Sequence, residues 1–217
     1  MKREKKEKRR AKLFSFRYLI YDFVKITAGL PGLLIFRPKW TYASEAAKKK
    51  IRGGALIVSN HYGFFDPLYL MFAVWYRRHR FVCGKEFFES KARFWFRSFL
   101  CIPIDRANFS IASLRAITGA LKEGSIVSMF PEGHVNEERT GDLESFKPGM
   151  ALMAMQAKAP IIPVYIKPKD RPWQRIRFAI GEPIDVTALY GDRPTFAQIE
   201  ETARLVREKE EDLKKLI

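Results

Sequence analysis

His61 and Asp66 stand in one short run, Leu56-Ile57-Val58-Ser59-Asn60-His61-Tyr62-Gly63-Phe64-Phe65-Asp66-Pro67, and their types and spacing suit a proton-transfer pair. An imidazole, with an unperturbed pKa of roughly 6.5, accepts a proton near neutrality when a carboxylate fixes its tautomer and stabilises the imidazolium. Both residues also have plainer uses. Aspartate before proline suits a helix start, where its side chain caps orphan N–H groups and proline fits the first turn. A lone histidine after a strand often makes only a structural hydrogen bond. Spacing alone leaves the two readings side by side.

Such a pair needs rigid elements on both sides. Residues 56–59 are mostly apolar and follow Gly53-Gly54, which predicts a short core strand, while Asp66-Pro67 opens a helical pattern from Leu68 to Tyr76. Further strands are expected at Arg80 to Cys83, Cys101 to Ile104, Ser125 to Phe130, Ile161 to Ile166 and Arg175 to Ile180. Helical patterns cover Ala43 to Lys50, Ala92 to Phe99, Ile111 to Lys122 and Gly149 to Ala157. A last helix starts at Thr195, whose spacing to Gln198 matches a capping box. Over 217 residues this order predicts an α/β fold, a single mixed-sheet domain flanked by helices, with its chemistry on loops after strands.

Forty Lys and Arg against 24 Asp and Glu leave a net charge of +16. That excess calls for an anionic partner, whether nucleic acid, an anionic membrane surface or a phosphorylated substrate. Residues 1–12 form a basic arm, in which eight Lys and Arg face only Glu4 and Glu7. A dense pattern of aromatic and aliphatic residues follows from Leu13 to Ile26, breaks at Pro31-Gly32 and resumes over Leu33 to Phe36, which reads as an interfacial, amphipathic helical hairpin over 13–39. The longest uncharged stretch, Ile26 to Phe36, falls short of the ~20 apolar residues that span a bilayer, so lying on the membrane is favoured over crossing it. Each Lys or Arg held near an anionic leaflet contributes about 1 kcal/mol. The competing use of this segment is packing on the protein's own core. The α/β domain is expected over 40–217, and the protein at the cytoplasmic face of the cell membrane, peripheral or monotopic. Arg17, Asp22 and Lys25 interrupt the apolar start, so no cleavable secretory signal is expected. Cys83 and Cys101 have neither metal-ligand nor disulfide-framework spacing, which fits a reduced compartment.

Three later segments repeat the arrangement of a strand followed at once by polar residues: Ile102-Pro103-Ile104-Asp105-Arg106, Val127-Ser128-Met129-Phe130-Pro131-Glu132-Gly133-His134 and Ile161-Ile162-Pro163-Val164-Tyr165. Taken in order after Asn60 to Pro67, they resemble the four sequence blocks of the glycerolipid acyltransferase family, which includes lysophosphatidate acyltransferases. The resemblance covers about Gly53 to Ile166. It implies transfer of a fatty acyl group from acyl-CoA or acyl-carrier protein to a lysophospholipid hydroxyl, foremost 1-acylglycerol-3-phosphate to give phosphatidate. His61 would be the general base and Asp66 its orienting partner. The resemblance also implies Arg106 on the acceptor phosphate, Glu132 and Gly133 in the acceptor-binding segment and, by a looser correspondence, Lys85 near the phosphate. Glu132 either holds its loop or contacts the glycerol hydroxyl. No metal or held cofactor is implied.

The residue chemistry agrees with this reading. A thioester is already activated, so removing the acceptor's proton and stabilising the oxyanion are enough, without a Gly-x-Ser-x-Gly nucleophile elbow. Backbone N–H groups near the start of the Pro67 helix are candidate oxyanion donors, and Asn60 shapes the loop rather than reacting. One departure bears on the acceptor. The family pattern Phe-Pro-Glu-Gly-Thr-Arg is replaced here by Phe130-Pro131-Glu132-Gly133-His134-Val135, without the arginine. Either Arg139 or Lys147 takes its place, or the acceptor is a different lysolipid; His134 is either a phosphate donor or an exposed loop residue. A nucleic-acid-binding module is the main alternative of another class, resting on the charge and on aromatics interleaved with Lys91, Arg93 and Arg97. It leaves the ordered blocks unexplained. A metal hydrolase built on His61, Asp66 and His134 would lack the usual zinc-helix motif.

Overall fold

The computed structural model describes residues 18–105, 110–136, 142–169, 171, 174–191 and 193–217. The basic arm, Arg106 and Arg139 lie outside these residues. Among the described residues, seven strands form one sheet in the order β1-β7-β6-β2-β5-β3-β4. They are β1 (Lys39–Tyr42), β2 (Ala55–Ser59), β3 (His79–Gly84), β4 (Ile102–Ile104), β5 (Ile126–Met129), β6 (Ile161–Ile166) and β7 (Arg177–Ile180). Neighbours pair in parallel except β6 with β7, which are antiparallel, so β1 and β7 run against the other strands and the sheet is mixed.

The sheet is buried on both faces because the side chains of each strand alternate between two apolar layers. Leu56 and Val58 of β2 enter one core, shared with α6 (Ile111–Lys122), α7 (Gly149–Ala157) and α9 (Phe196–Lys214). Ala55 and Ile57 enter the other, shared with α1 (Leu19–Thr27) and α3 (Asp66–Ala73). The shorter helices α4 (Glu86–Glu89), α5 (Arg93–Ser98) and α8 (Val186–Tyr190) complete the connections. Gly54 is required where β2 begins: a Cβ there would stand 2.0 Å from the carbonyl oxygen of Leu121, at the end of α6. The capping box at Thr195 forms as its spacing predicts.

Two local expectations are corrected. Residues 43–50 are not helical; the Ser44 hydroxyl accepts the N–H groups of Ala46 and Ala47 and starts a turn instead. The apolar segment near the start is not a hairpin. α1 joins α2 (Gly29–Phe36) through Ala28, whose N–H bonds to Val24 and whose carbonyl accepts the N–H of Gly32. Helical bonding therefore continues across the joint, and Leu19–Phe36 is one rod of 18 residues, ~27 Å long. Pro31 sits in the first turn of α2, where its missing N–H does no harm. One side of the rod is tied to the domain: the Tyr21 hydroxyl accepts the N–H of His79 at 3.0 Å, Asp22 pairs with Arg78 at 2.7 Å, and Gly29 and Gly32 lie against Trp75 and Phe72. The other side exposes Leu19, Phe23, Ile26, Leu30, Leu34 and Ile35.

Candidate active site

Because β2 lies between β5 and β6, the loops leaving β2 and β5 at their carboxyl ends emerge side by side, ~4.8 Å apart at the strands. The first carries His61 and the second Glu132. Asn60 fixes the point where the chain leaves β2. Its side-chain amide donates to the carbonyl of Ile166 and accepts from the N–H of the same residue, each at 2.8 Å, and so extends the pairing to β6 by one residue. Its own N–H is taken by the Glu210 carboxylate at 2.7 Å. The next carbonyl, that of His61, accepts the N–H of Asn136 at 2.7 Å, and the His61 ring stacks on Phe130 with centroids 4.0 Å apart.

Within this frame His61 Nδ1 lies 2.9 Å from Asp66 Oδ2. The same oxygen accepts the N–H groups of Tyr62 at 2.5 Å and Gly63 at 2.8 Å. Asp66 is the first residue of α3, yet its side chain caps no helical N–H; it turns back into the loop. The capping use weighed from sequence is therefore not the one found. With Nδ1 bound to a carboxylate, the ring carries its proton there and presents Nε2 as the acceptor. Nε2 has no hydrogen bond among the described residues, so the pair can take a proton from a group placed against it. The N–H groups of Tyr62 and Gly63 are occupied by Asp66 and are not available to an oxyanion.

Glu132 is buried beside this pair, and neither carboxylate oxygen has a hydrogen-bond partner among the described residues. Burial, and then the negative charges of Glu144 and Asp66, push its pKa up to about 7, against a smaller opposing pull from Arg207. Gly133 has φ +85°, and a Cβ there would come within 2.8 Å of the Lys147 ammonium, so the missing side chain leaves room for that cation on the loop. His134 is exposed and bonds to Glu144 at 3.0 Å, and among the described residues no three His, Cys, Asp or Glu side chains are grouped as metal ligands. Lys85 is exposed and pairs with Asp105 at 2.7 Å, beyond β3 and β4. Arg106 follows β4 but lies outside the described residues.

Sequence reasoning missed Glu210. It is fully buried, and burial raises its pKa well above the usual carboxylate range. A signal existed: Ala203, Val206, Glu210 and Leu213 fall on one buried stripe of α9, and a glutamate on an apolar stripe needs a partner. Tyr62 and Tyr165 are buried in the same region, and burial holds both phenols protonated, Tyr165 at about 12.

The profile of the Acyltransferase family matches residues 41–167, more than half of the chain, from within β1 to just past β6. The chain belongs to the acyltransferase family. Two curated acyltransferases are similar to it. The 1-acyl-sn-glycerol-3-phosphate acyltransferase of Bacillus subtilis (strain 168) is 29% identical over 140 residues, 60% of this chain and 67% of that protein. The protein of the same name from Streptococcus pneumoniae (strain ATCC BAA-255 / R6) is 31% identical over 141 residues, 61% of this chain and 50% of its own. The match thus spans about two thirds of one acyltransferase and half of the other. The crystal structure of the 1-acyl-sn-glycerophosphate acyltransferase PlsC from Thermotoga maritima has the same fold, with a TM-score of 0.64 at 21% identity over 92% of this chain and 80% of that one. Glu210 lies outside the family match, on a helix that nonetheless reaches the N–H of Asn60, at the start of the His61 loop.

Proposed function

We propose that this acyltransferase moves a fatty acyl group from a thioester donor, acyl-CoA or acyl-carrier protein, to the free hydroxyl of 1-acylglycerol-3-phosphate, giving phosphatidate. The observation that carries the reading is the His61–Asp66 contact of 2.9 Å, which leaves Nε2 without a hydrogen bond among the described residues. The relatives' names supply the acceptor class. His61 Nε2 takes the hydroxyl proton as the oxygen attacks the thioester carbonyl, and Asp66, bonded to Nδ1, holds the imidazolium in place. The tetrahedral oxyanion collapses, the carbon–sulfur bond breaks, and the departing thiolate takes the proton back from His61. Ester and free thiol leave, and the enzyme is unchanged. Glu132 faces the acceptor, where an orphaned carboxyl with a pKa of about 7 suits a hydroxyl-bearing ligand. Val135 in place of the family arginine favours a second reading, in which another lysolipid serves as acceptor.

This reading puts the reaction on the cytoplasmic face of a membrane. By length and composition alone, the rod Leu19–Phe36 could cross a bilayer. Its ties through Tyr21, Asp22, Gly29 and Gly32 run along its length, however, and favour a rod lying flat with its exposed apolar side in lipid. The test supplies a panel of lysolipids with both donors and follows thiol release and lipid product. Wild-type protein should acylate 1-acylglycerol-3-phosphate. His61→Ala should be slower by about 10²–10⁴-fold with an unchanged melting curve. Full activity in that variant, or no acylation of any lysolipid by the wild type, overturns the mechanism.

A further inference from the structure

The four residues between His61 and Asp66 include Phe64 and Phe65, which are 82% and 56% exposed. Neither ring belongs to either hydrophobic core, and the loop does not need them for its shape, since the bonds to Asp66 come from His61, Tyr62 and Gly63. Exposed phenylalanines in a site loop call for an apolar partner. The rings also connect to something. Phe64 meets Phe65 edge-on at 5.5 Å, Phe65 stacks near Tyr69 at 6.3 Å, and Tyr69 meets Phe36 edge-on at 5.5 Å. Phe36 ends the rod, directly after the exposed Leu34 and Ile35.

An unbroken apolar strip therefore runs from the outer side of the rod to the loop that holds the dyad. Its edge is cationic. The Lys169 ammonium lies over both Phe36 and Tyr69, at 5.2 and 5.9 Å, and the exposed Arg175 bonds to the carbonyl of the exposed Arg37, the next residue along. Apolar rings rimmed by lysine and arginine complement an anionic bilayer surface, where the rings enter the headgroup and acyl boundary and the cations meet lipid phosphates.

We infer that Phe64 and Phe65 insert into an anionic bilayer, so that the catalytic loop itself docks on lipid and the dyad faces an acceptor still seated in the membrane. The inference rests on the membrane reading above, and it goes further by placing the site loop, not only the rod, in contact with lipid. Insertion would also couple docking to catalysis, because the inserted residues are the spacer that sets His61 against Asp66.

The test places an environment-sensitive nitrobenzoxadiazole label on a single cysteine, Phe64→Cys, in full-length protein carrying Cys83→Ser and Cys101→Ser. Vesicles of phosphatidylglycerol and phosphatidylcholine should pull the protein down, shift the label's emission to the blue and expose it to quenching by lipids spin-labelled near the headgroup. As a label-free check on native cysteines, Phe64→Ser with Phe65→Ser should weaken vesicle binding at least tenfold without altering the circular dichroism of the free protein. If the labelled protein co-sediments but its emission stays that of water, or if the double variant binds as wild type does, the loop does not insert and only the rod docks. If wild-type protein fails to co-sediment, the membrane reading falls and takes the loop insertion with it.

Discussion

One oxygen, Asp66 Oδ2, orients His61 and also closes the loop through two backbone N–H groups. Asp66→Ala should therefore fail twice. Acyl transfer should drop with the loss of the oriented imidazole, and thermal melting should show reduced stability, since each buried donor left unsatisfied costs about 1–3 kcal/mol. Glu132 makes the opposite kind of prediction. Its pKa of about 7 in the fold exceeds the unfolded value of ~4.3, so its contribution to stability is fully present below pH ~4 and is lost as pH rises through 7. Glu132→Gln removes that loss. Its melting temperature should exceed that of the wild type at pH 8 by more than at pH 5, even if acceptor binding suffers. The dyad was legible in the sequence because both members sit in one short run and no distant residue is needed to bring them together. The isolation of Glu132 was not, because it depends on Glu144 and Arg207 arriving from other segments and on burial that no local pattern reports.

Among the elements, α9 has the least expected role. It reads as a structural amphipathic helix, and most of it is, but Glu210 reaches through the core to the N–H that precedes His61. Glutamine can accept that bond without carrying a buried charge; methionine fills the space and cannot. Glu210→Gln should keep activity within a few-fold, whereas Glu210→Met should lower kcat about tenfold or more, with the unsatisfied N–H costing about 1–3 kcal/mol in a denaturation curve. Equal behaviour of the two variants would mean that the bond is idle. Long periodic helices and buried apolar strands were readable, down to the bounds of α6, α7 and β6. The errors came where a single contact decides. Ser44 turns a segment with a helical composition, and β1 is a strand because β7 offers it an edge. Ala28 carries the helix onward where Pro31-Gly32 suggested a stop.

For the whole molecule, charge and apolar surface should act together at the membrane. Raising salt from 0.1 to 1 M shortens the screening length from ~10 to ~3 Å, so binding to anionic vesicles should weaken while a salt-resistant part remains. Leu34→Asp with Ile35→Asp, on the exposed side of the rod, should abolish that remainder in a co-sedimentation assay and leave the fold intact. The inner side of the same rod has a different consequence. Tyr21 is buried in the core beneath the sheet, its hydroxyl holds the first N–H of β3, and Phe72 and Trp75 are covered by the two glycines of α2. Cutting the chain after Phe36 to obtain a freely soluble catalytic unit would uncover a wall of that core, and the product should aggregate rather than dissolve. A soluble version has to be made by recolouring the rod's outer residues with charge, because the part proposed to meet lipid is also part of what keeps the enzyme folded.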